Sequence, residues 1–210
     1  MRGSGISPCL EKQAAATYLV IPELETARLL LKPLAIEDAA QIQKLFPRWE
    51  IVKYLNAVVP WPYPADGAEY FLREIALPEM ARRESWHWTI RLKPAPAQLI
   101  GMISLTTKPA GNRGFWLDPA WQGKGLMTEA CDTVTDYWFE ELRQPVLSVP
   151  KAIANEASRR ISVKQGMRIV SREERDYVCG RLPSETWEIT AKEWHRRKQE
   201  RLASSAGSSA

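Results

Sequence analysis

The segment Arg113-Gly-Phe-Trp-Leu-Asp-Pro-Ala-Trp-Gln-Gly-Lys-Gly-Leu-Met-Thr-Glu-Ala130 constrains this chain more than any other. It reads as a short apolar strand, a glycine-rich loop and the start of a helix. Gly123 and Gly125 bracket Lys124, so the main chain there can adopt dihedrals closed to other residues and come close to a ligand. From Leu126 to Leu142 the apolar residues Met127, Cys131, Val134, Trp138 and Leu142 recur at helical spacing. Such a helix turns its orphan N–H groups and positive dipole end toward the loop. An anion is expected at that point, with Lys124 nearby.

Two familiar phosphate cradles do not match the loop. A nucleotide P-loop needs a hydroxyl residue after Gly-Lys to hold magnesium, and this chain has Gly125 there. A dinucleotide fingerprint G-x-G-x-x-G would need its third glycine at Thr128. A second motif follows in Asn155-Glu-Ala-Ser158-Arg-Arg-Ile161 and Lys164-Gln-Gly-Met167.

Gln122-x-x-Gly125 resembles the pyrophosphate loop of the GNAT superfamily of acyl-coenzyme A N-acyltransferases. The surrounding Gly-Phe-Trp-Leu-Asp-Pro-Ala-Trp-Gln-Gly-Lys-Gly and the opening Glu25-Thr-Ala-Arg-Leu-x-Leu are similar to its branch of Rim-type ribosomal-protein acetyltransferases. Asn155-x-x-Ser158 with its Lys-x-Gly-Met end resembles the superfamily's second cofactor segment. One departure is visible, because Met127 stands where the family usually has Gly or Ala. The resemblance runs from about Glu25 to Trp194.

This resemblance implies acetyl-coenzyme A as co-substrate, with no metal. It places Phe115, Trp116 and Leu117 on the strand that meets the pantetheine arm by strand addition. Trp116 and Phe115 point to opposite faces, so at least one of them packs in the core. Gln122, Gly123, Lys124, Gly125, Leu126, Met127 and Thr128 would surround the pyrophosphate, mostly through main-chain N–H groups. Asn155 carries a donor and an acceptor suited to an amide-rich arm, and it also suits the cap of the following helix. Ser158, three residues on and on the same face, is the branch's candidate proton donor to the leaving thiolate. His87 and Glu129 are the candidate general bases. His87 lies between Trp86 and Trp88 on a strand, where histidine more often packs than reacts. Tyr54, Trp61 and Tyr63 lie in a stretch that resembles the family's variable substrate loop and are candidates to wall the acceptor pocket, or to cover the core as a lid.

The remaining sequence supports a single domain. At 210 residues the chain suits one substantial core. Residues 1–24 read as an N-terminal extension, 25–194 as the domain, and 195–210 as a basic helix end with a flexible Ser/Ala/Gly tail. The start of the chain has no signal-peptide core, and no apolar run approaches a membrane span, so a cytoplasmic location is expected. Cys9, Cys131 and Cys179 share no CxxC spacing and read as free thiols. Lys192, Arg196, Arg197, Lys198 and Arg201 concentrate positive charge near the C-terminus, but only Trp194 accompanies them. A nucleic-acid face wants interleaved aromatics, so a solvated helix end is the expectation.

Strands are expected over 26–33, 85–91, 98–106, 114–117, 145–149, 168–179 and 186–190. Helices are expected over 36–46, 65–82, 126–142, 155–165 and 191–201, with Pro78 ending or kinking the second. The residues between 56 and 64 should be irregular. Strand runs mixed with helices imply an α/β fold, one central mixed and mostly antiparallel sheet with helices on both faces. The expected activity is acetyl transfer to a primary amine, with a protein N-terminus as leading acceptor, and the protein a monomer or homodimer. A small-molecule amine such as an antibiotic or polyamine, and a non-catalytic acyl-coenzyme A sensor, are the alternatives.

Overall fold

The computed structural model of the chain describes residues 21–109 and 111–207. Cys9, residues 1–20 of the expected extension and the last three residues of the tail lie outside them. The expected first strand is instead a tight hairpin of β1 (Leu24–Glu25) and β2 (Leu29–Pro33). Thr26 makes the turn, its Oγ1 accepting from the N–H groups of Leu29 at 2.8 Å and Arg28 at 3.3 Å.

Helices α1 (Ala39–Leu45) and α2 (Trp49–Val52) follow, and the stretch 56–64 is irregular as expected. The next expected helix forms as α3 (Gly67–Tyr70), a π-helical stretch (Phe71–Ala76) and α4 (Leu77–Ala81). Pro78 does not end it. Its missing N–H and its ring disturb the preceding turn, and the wider π turn immediately before α4 accommodates that disturbance.

Strand β3 (Ser85–Leu92) pairs antiparallel with β4 (Ala95–Thr106), matching Trp86 with Leu105 and Trp88 with Ile103. Seven consecutive residues of β3 are buried, because helices cover both faces of this central strand. Strand β5 (Arg113–Leu117) closes a five-stranded sheet in the order β1-β2-β3-β4-β5. A second sheet has the order β6-β8-β7, from β6 (Val146–Ala152), β7 (Arg168–Tyr177) and β8 (Gly180–Thr190). Both are antiparallel throughout.

The single continuous sheet expected from the sequence is therefore interrupted between β5 and β6. The two strands are fastened at one end, where Asn112 N–H donates to Ser148 O at 2.7 Å and Asn112 Oδ1 accepts from Ser148 N–H at 2.9 Å. Farther on, Lys151 Nζ lies 5.4 Å from the Phe115 ring centre. The two contacts advance together along both strands, so β5 and β6 run the same way but form no ladder. The connection is α5 (Leu126–Glu140), followed after β6 by α6 (Glu156–Gln165).

Two apolar cores flank the larger sheet. Leu29, Leu31, Trp88, Ile103, Val134, Trp138, Ile189 and Trp194 belong to one, beneath α5 and α7 (Ala191–Gly207). Leu34, Ile42, Phe46, Val52, Leu72 and Trp116 belong to the other, beneath the first four helices. Helix α7 runs beyond the expected end at Arg201, with Ser204 Oγ donating to Glu200 O at 2.9 Å. Its cations fold back on the protein: Lys198 meets Asp136 and Glu140, and Arg201 meets Asp132. Part of the basic C-terminal run is thus neutralised within the fold. No helix among the described residues is long and apolar enough to cross a membrane.

Candidate active site

The opening between β5 and β6 continues into a cleft of about 740 Å³. One wall is β5 and the loop after it, where Phe115, Trp116, Leu117, Gln122, Gly123 and Gly125 line the space, with Leu126, Met127 and Thr128 opening α5. Gly123 has φ of +74° and Gly125 of +78°, left-handed values that suit glycine. An added Cβ at Gly123 would meet nothing, and at Gly125 only Arg28 Nη2 at 3.5 Å. The loop has space above it. Helix α5 begins at Gly125 with no side-chain cap, so its first N–H groups remain for a ligand.

The loop is braced from behind. Arg28 Nη1 donates to Lys124 O at 3.0 Å, while the Arg28 guanidinium and Glu129 carboxylate form an ion pair at 2.7 Å. Glu129 also accepts from Arg28 N–H and from Thr26 Oγ1. Partial burial pushes its carboxyl up, but these hydrogen bonds and the Arg28 charge more than offset that and leave it below the usual range. Glu129 is therefore a bracket between β2 and α5, turned away from the cleft, and not a base beside it. Lys124 is turned aside as well, its Nζ donating to Ala120 O at 3.0 Å and lying 4.6 Å from the Trp121 ring centre. Gln122 Nε2 donates to Leu117 O at 2.9 Å and ties the loop to the end of β5.

The facing wall is the start of α6. Asn155 caps it, with Oδ1 accepting from Ser158 N–H at 3.2 Å, as the alternative role for Asn155 anticipated. Both residues line the cleft, as do Arg160 and Lys164, one helical turn apart on α6. Ser158 Oγ accepts from Lys151 Nζ at 2.8 Å, and both residues are buried. Lys151 lies outside the motifs and beyond the expected strand 145–149. Its signal is present in the alternation: Leu147, Val149 and Lys151 are the buried residues of one face of β6.

At the other end of the cleft stand Glu50, Ile51, Lys53, Tyr54 and Leu55. This segment is tied to the tip of the β7–β8 hairpin, Val178 N–H donating to Leu55 O at 3.0 Å and Cys179 N–H to Lys53 O at 3.1 Å. Tyr54 lines the cleft, whereas Trp61 and Tyr63 do not. Trp61 is partly exposed against Trp49, ring centres 5.6 Å apart. Tyr63 packs against Phe46 and lies so close under Gly67 that an added Cβ there would come within 2.7 Å of its ring. Its burial pushes the phenol up to about 12.

His87 is also outside the cleft. It is buried, edge-on to Phe71, with Nε2 2.9 Å from Ser85 Oγ. Burial pushes the imidazole down to about 4, so it stays neutral at physiological pH. Among the described residues no group of three or more His, Cys, Asp or Glu side chains could hold a metal ion.

Comparison with known proteins agrees with this geometry. Residues 28–168 match the model of the acetyltransferase (GNAT) domain. A stretch of 72 residues is 38% identical to YdaF of Bacillus subtilis (strain 168), a candidate ribosomal N-acetyltransferase, covering 32% of this chain and 39% of that one. The fold is similar to that of the ribosomal-protein-S5-alanine acetyltransferase from Vibrio fischeri, with a TM-score of 0.69 and 17% identity over 82% of this chain and 98% of that one. It is also similar to RimL, a ribosomal L7/L12 α-N-protein acetyltransferase solved with coenzyme A, at a TM-score of 0.67 and 14% identity over 81% and 97% of the two chains.

Proposed function

The chain belongs to the GNAT acetyltransferase family, and from that premise we propose that it transfers the acetyl group of acetyl-coenzyme A to the α-amine at the N-terminus of a polypeptide. The observation that carries this reading is the cleft itself, which joins an uncapped helix start, a glycine cradle and Ser158 in one channel.

The residues present fit the co-substrate. The left-handed glycines leave the cradle clear of side chains, and the N–H groups opening α5 suit a pyrophosphate. Met127, the departure from the family pattern, packs most of its side chain into the core while still lining the cleft. Arg160 and Lys164 supply cations on the same channel. β5 is an edge strand beyond Asn112, so it can pair with an extended amide-bearing arm, and Asn155 keeps its NH2 end as a donor. Bound there, acetyl-coenzyme A supplies the activated acetyl carbonyl. Ser158 lines the channel and can hydrogen-bond or protonate the departing sulfur.

The acceptor follows from proton arithmetic. An α-amine with pKa about 7.7–8.0 is neutral in roughly one molecule in ten at pH 7, a lysine near 10.4 in roughly four in ten thousand. Glu129 is held by Arg28 and His87 is enclosed, so neither is placed to deprotonate a lysine. The names of the V. fischeri enzyme and of RimL, which specify alanine and α-N acceptors, favour the same choice.

Calorimetric titration with acetyl-coenzyme A tests the cofactor assignment. Wild-type protein should bind one equivalent, and Gly125→Glu, which adds bulk and negative charge to the cradle, should bind at least tenfold more weakly, about 1.4 kcal/mol. Gly125→Asn separates the charge from the backbone strain, since Asn tolerates the left-handed region. Unchanged affinity in a folded Gly125→Glu protein would remove the assignment.

A further inference from the structure

Lys151 is a buried cation that the family motifs leave unexplained. It sits near the end of β6, in the opening beside β5, and its Nζ donates to Ser158 Oγ at 2.8 Å. We propose that Lys151 is a positioning residue behind Ser158, and that the pair forms a proton relay from the protein interior to the sulfur of the departing thiolate. The proposal rests on the acetyl-coenzyme A reading of the cleft and extends it by one residue that does not itself line the cleft.

The surroundings of Lys151 distinguish it from a lysine held for structure. Burying an ammonium group is expensive unless an opposite charge accompanies it. Here the hydrogen-bond partner is a neutral hydroxyl, and the Phe115 ring supplies a weaker cation–π contact at 5.4 Å. On β5, Arg113 adds a second buried cation, bonded to the neutral Thr135 hydroxyl at 2.7 Å and Gln165 Oε1 at 2.8 Å. From α5, Cys131 contributes a thiol that burial keeps protonated. Across the ladder on β8, Glu185 is the nearest carboxylate in register, and Arg159 and Arg172 engage it at 3.0 and 3.2 Å. Tyr177 on β7 approaches only the backbone of Lys151, through Ser184.

These groups set the chemistry of the pair. Burial first, and then the Arg113 charge, push the Lys151 ammonium down to about 7, with Cys131 opposing them weakly. A lysine so tuned can give and regain a proton near neutral pH, whereas an exposed one holds it. Arg113, on the strand beside Lys151, keeps a second cation close to the pair.

The step balances. The acceptor nitrogen uses its lone pair to form the C–N bond, and the C–S bond breaks with its electron pair kept by sulfur. Ser158 gives its hydroxyl proton to that sulfur and takes one from Lys151 Nζ. The surplus proton on the acceptor nitrogen leaves to water, and Lys151 regains a proton from water through Ser158 when the cleft empties.

The thiol titration needs no acceptor, and acetyl transfer is followed separately on a peptide with a free N-terminus. Free coenzyme A is titrated on the protein, and the ultraviolet absorbance of its thiolate is followed against pH. In wild-type protein the bound thiol should ionise about one unit or more below the usual thiol value of about 8.5. Lys151→Met should remove that depression, about a tenfold loss of thiolate in the rising part of the curve. Lys151→Arg should keep it while lowering acetyl transfer, because arginine retains the charge but cannot release a proton. If Lys151→Met does not fold, Ser158→Ala carries the test and should raise the thiol value toward that of free coenzyme A. A bound thiol that ionises at its solution value in wild-type protein, or is unmoved by these changes, overturns the relay and leaves the acetyl-transfer reading standing. Failure of coenzyme A to bind wild-type protein removes both.

Discussion

His87 shows how little a residue's type says about its use until its neighbours are known. On the sequence it is a candidate base between two tryptophans, and in the fold it is sealed under Phe71, with Nδ1 lacking a hydrogen-bond partner among the described residues. Its folded value near 4 lies below the unfolded 6.5, so the unfolded chain binds more protons between those values. The stability contributed by neutral His87 is complete above about pH 6.5 and is lost as pH falls toward 4. The difference amounts to roughly 3 kcal/mol. Urea unfolding at pH 7 and pH 4 should therefore show wild-type protein losing about that much more stability than His87→Gln, and parallel losses would show that the imidazole is not held neutral. Ser158 and Asn155 were legible because their spacing is local. Lys151 was not, because its partner comes from another element.

Among the elements, α5 and α6 were readable almost to the residue. Helix α5 has apolar periodicity with glycine before it, and α6 is bracketed by Asn155 and Gly166. The hairpin turn at Thr26 and the π turn before Pro78 were not, since both follow from how backbone groups are satisfied and not from side-chain pattern. Gly166 matters to the site because it ends the helix that carries Asn155 and Ser158. Its φ is +73°, and an added Cβ would collide with the Arg197 side chain. Gly166→Ala should cost about 1–2 kcal/mol from the left-handed conformation alone. Gly166→Asn should cost less of that strain. Denaturant midpoints measure both, and an alanine variant as stable as wild type would contradict the cap as described.

On the scale of the molecule, the functional feature is the gap between two sheets. Most strands could be read from alternation and turns, but the loss of hydrogen bonding between β5 and β6 could not. It depends on Asn112 and Ser148 fastening one end while the Lys151 and Phe115 side chains share the other. That gap continues into a cleft lined by Tyr54, whose segment is tied to the tip of the β7–β8 hairpin, and in the proposed function this cleft holds the cofactor and admits an extended acceptor. The most direct test of acetyl transfer to an α-amine uses one peptide that has a free N-terminus and an internal lysine. It is incubated with the protein and acetyl-coenzyme A at pH 7, and fragment mass spectrometry then locates the acetyl group. The N-terminal nitrogen should carry it, with lysine acetylated at least tenfold more slowly, well within the several-hundred-fold difference in neutral amine. Acetylation of the lysine first would contradict the account, as would no acetylation of this peptide where a small polyamine is turned over.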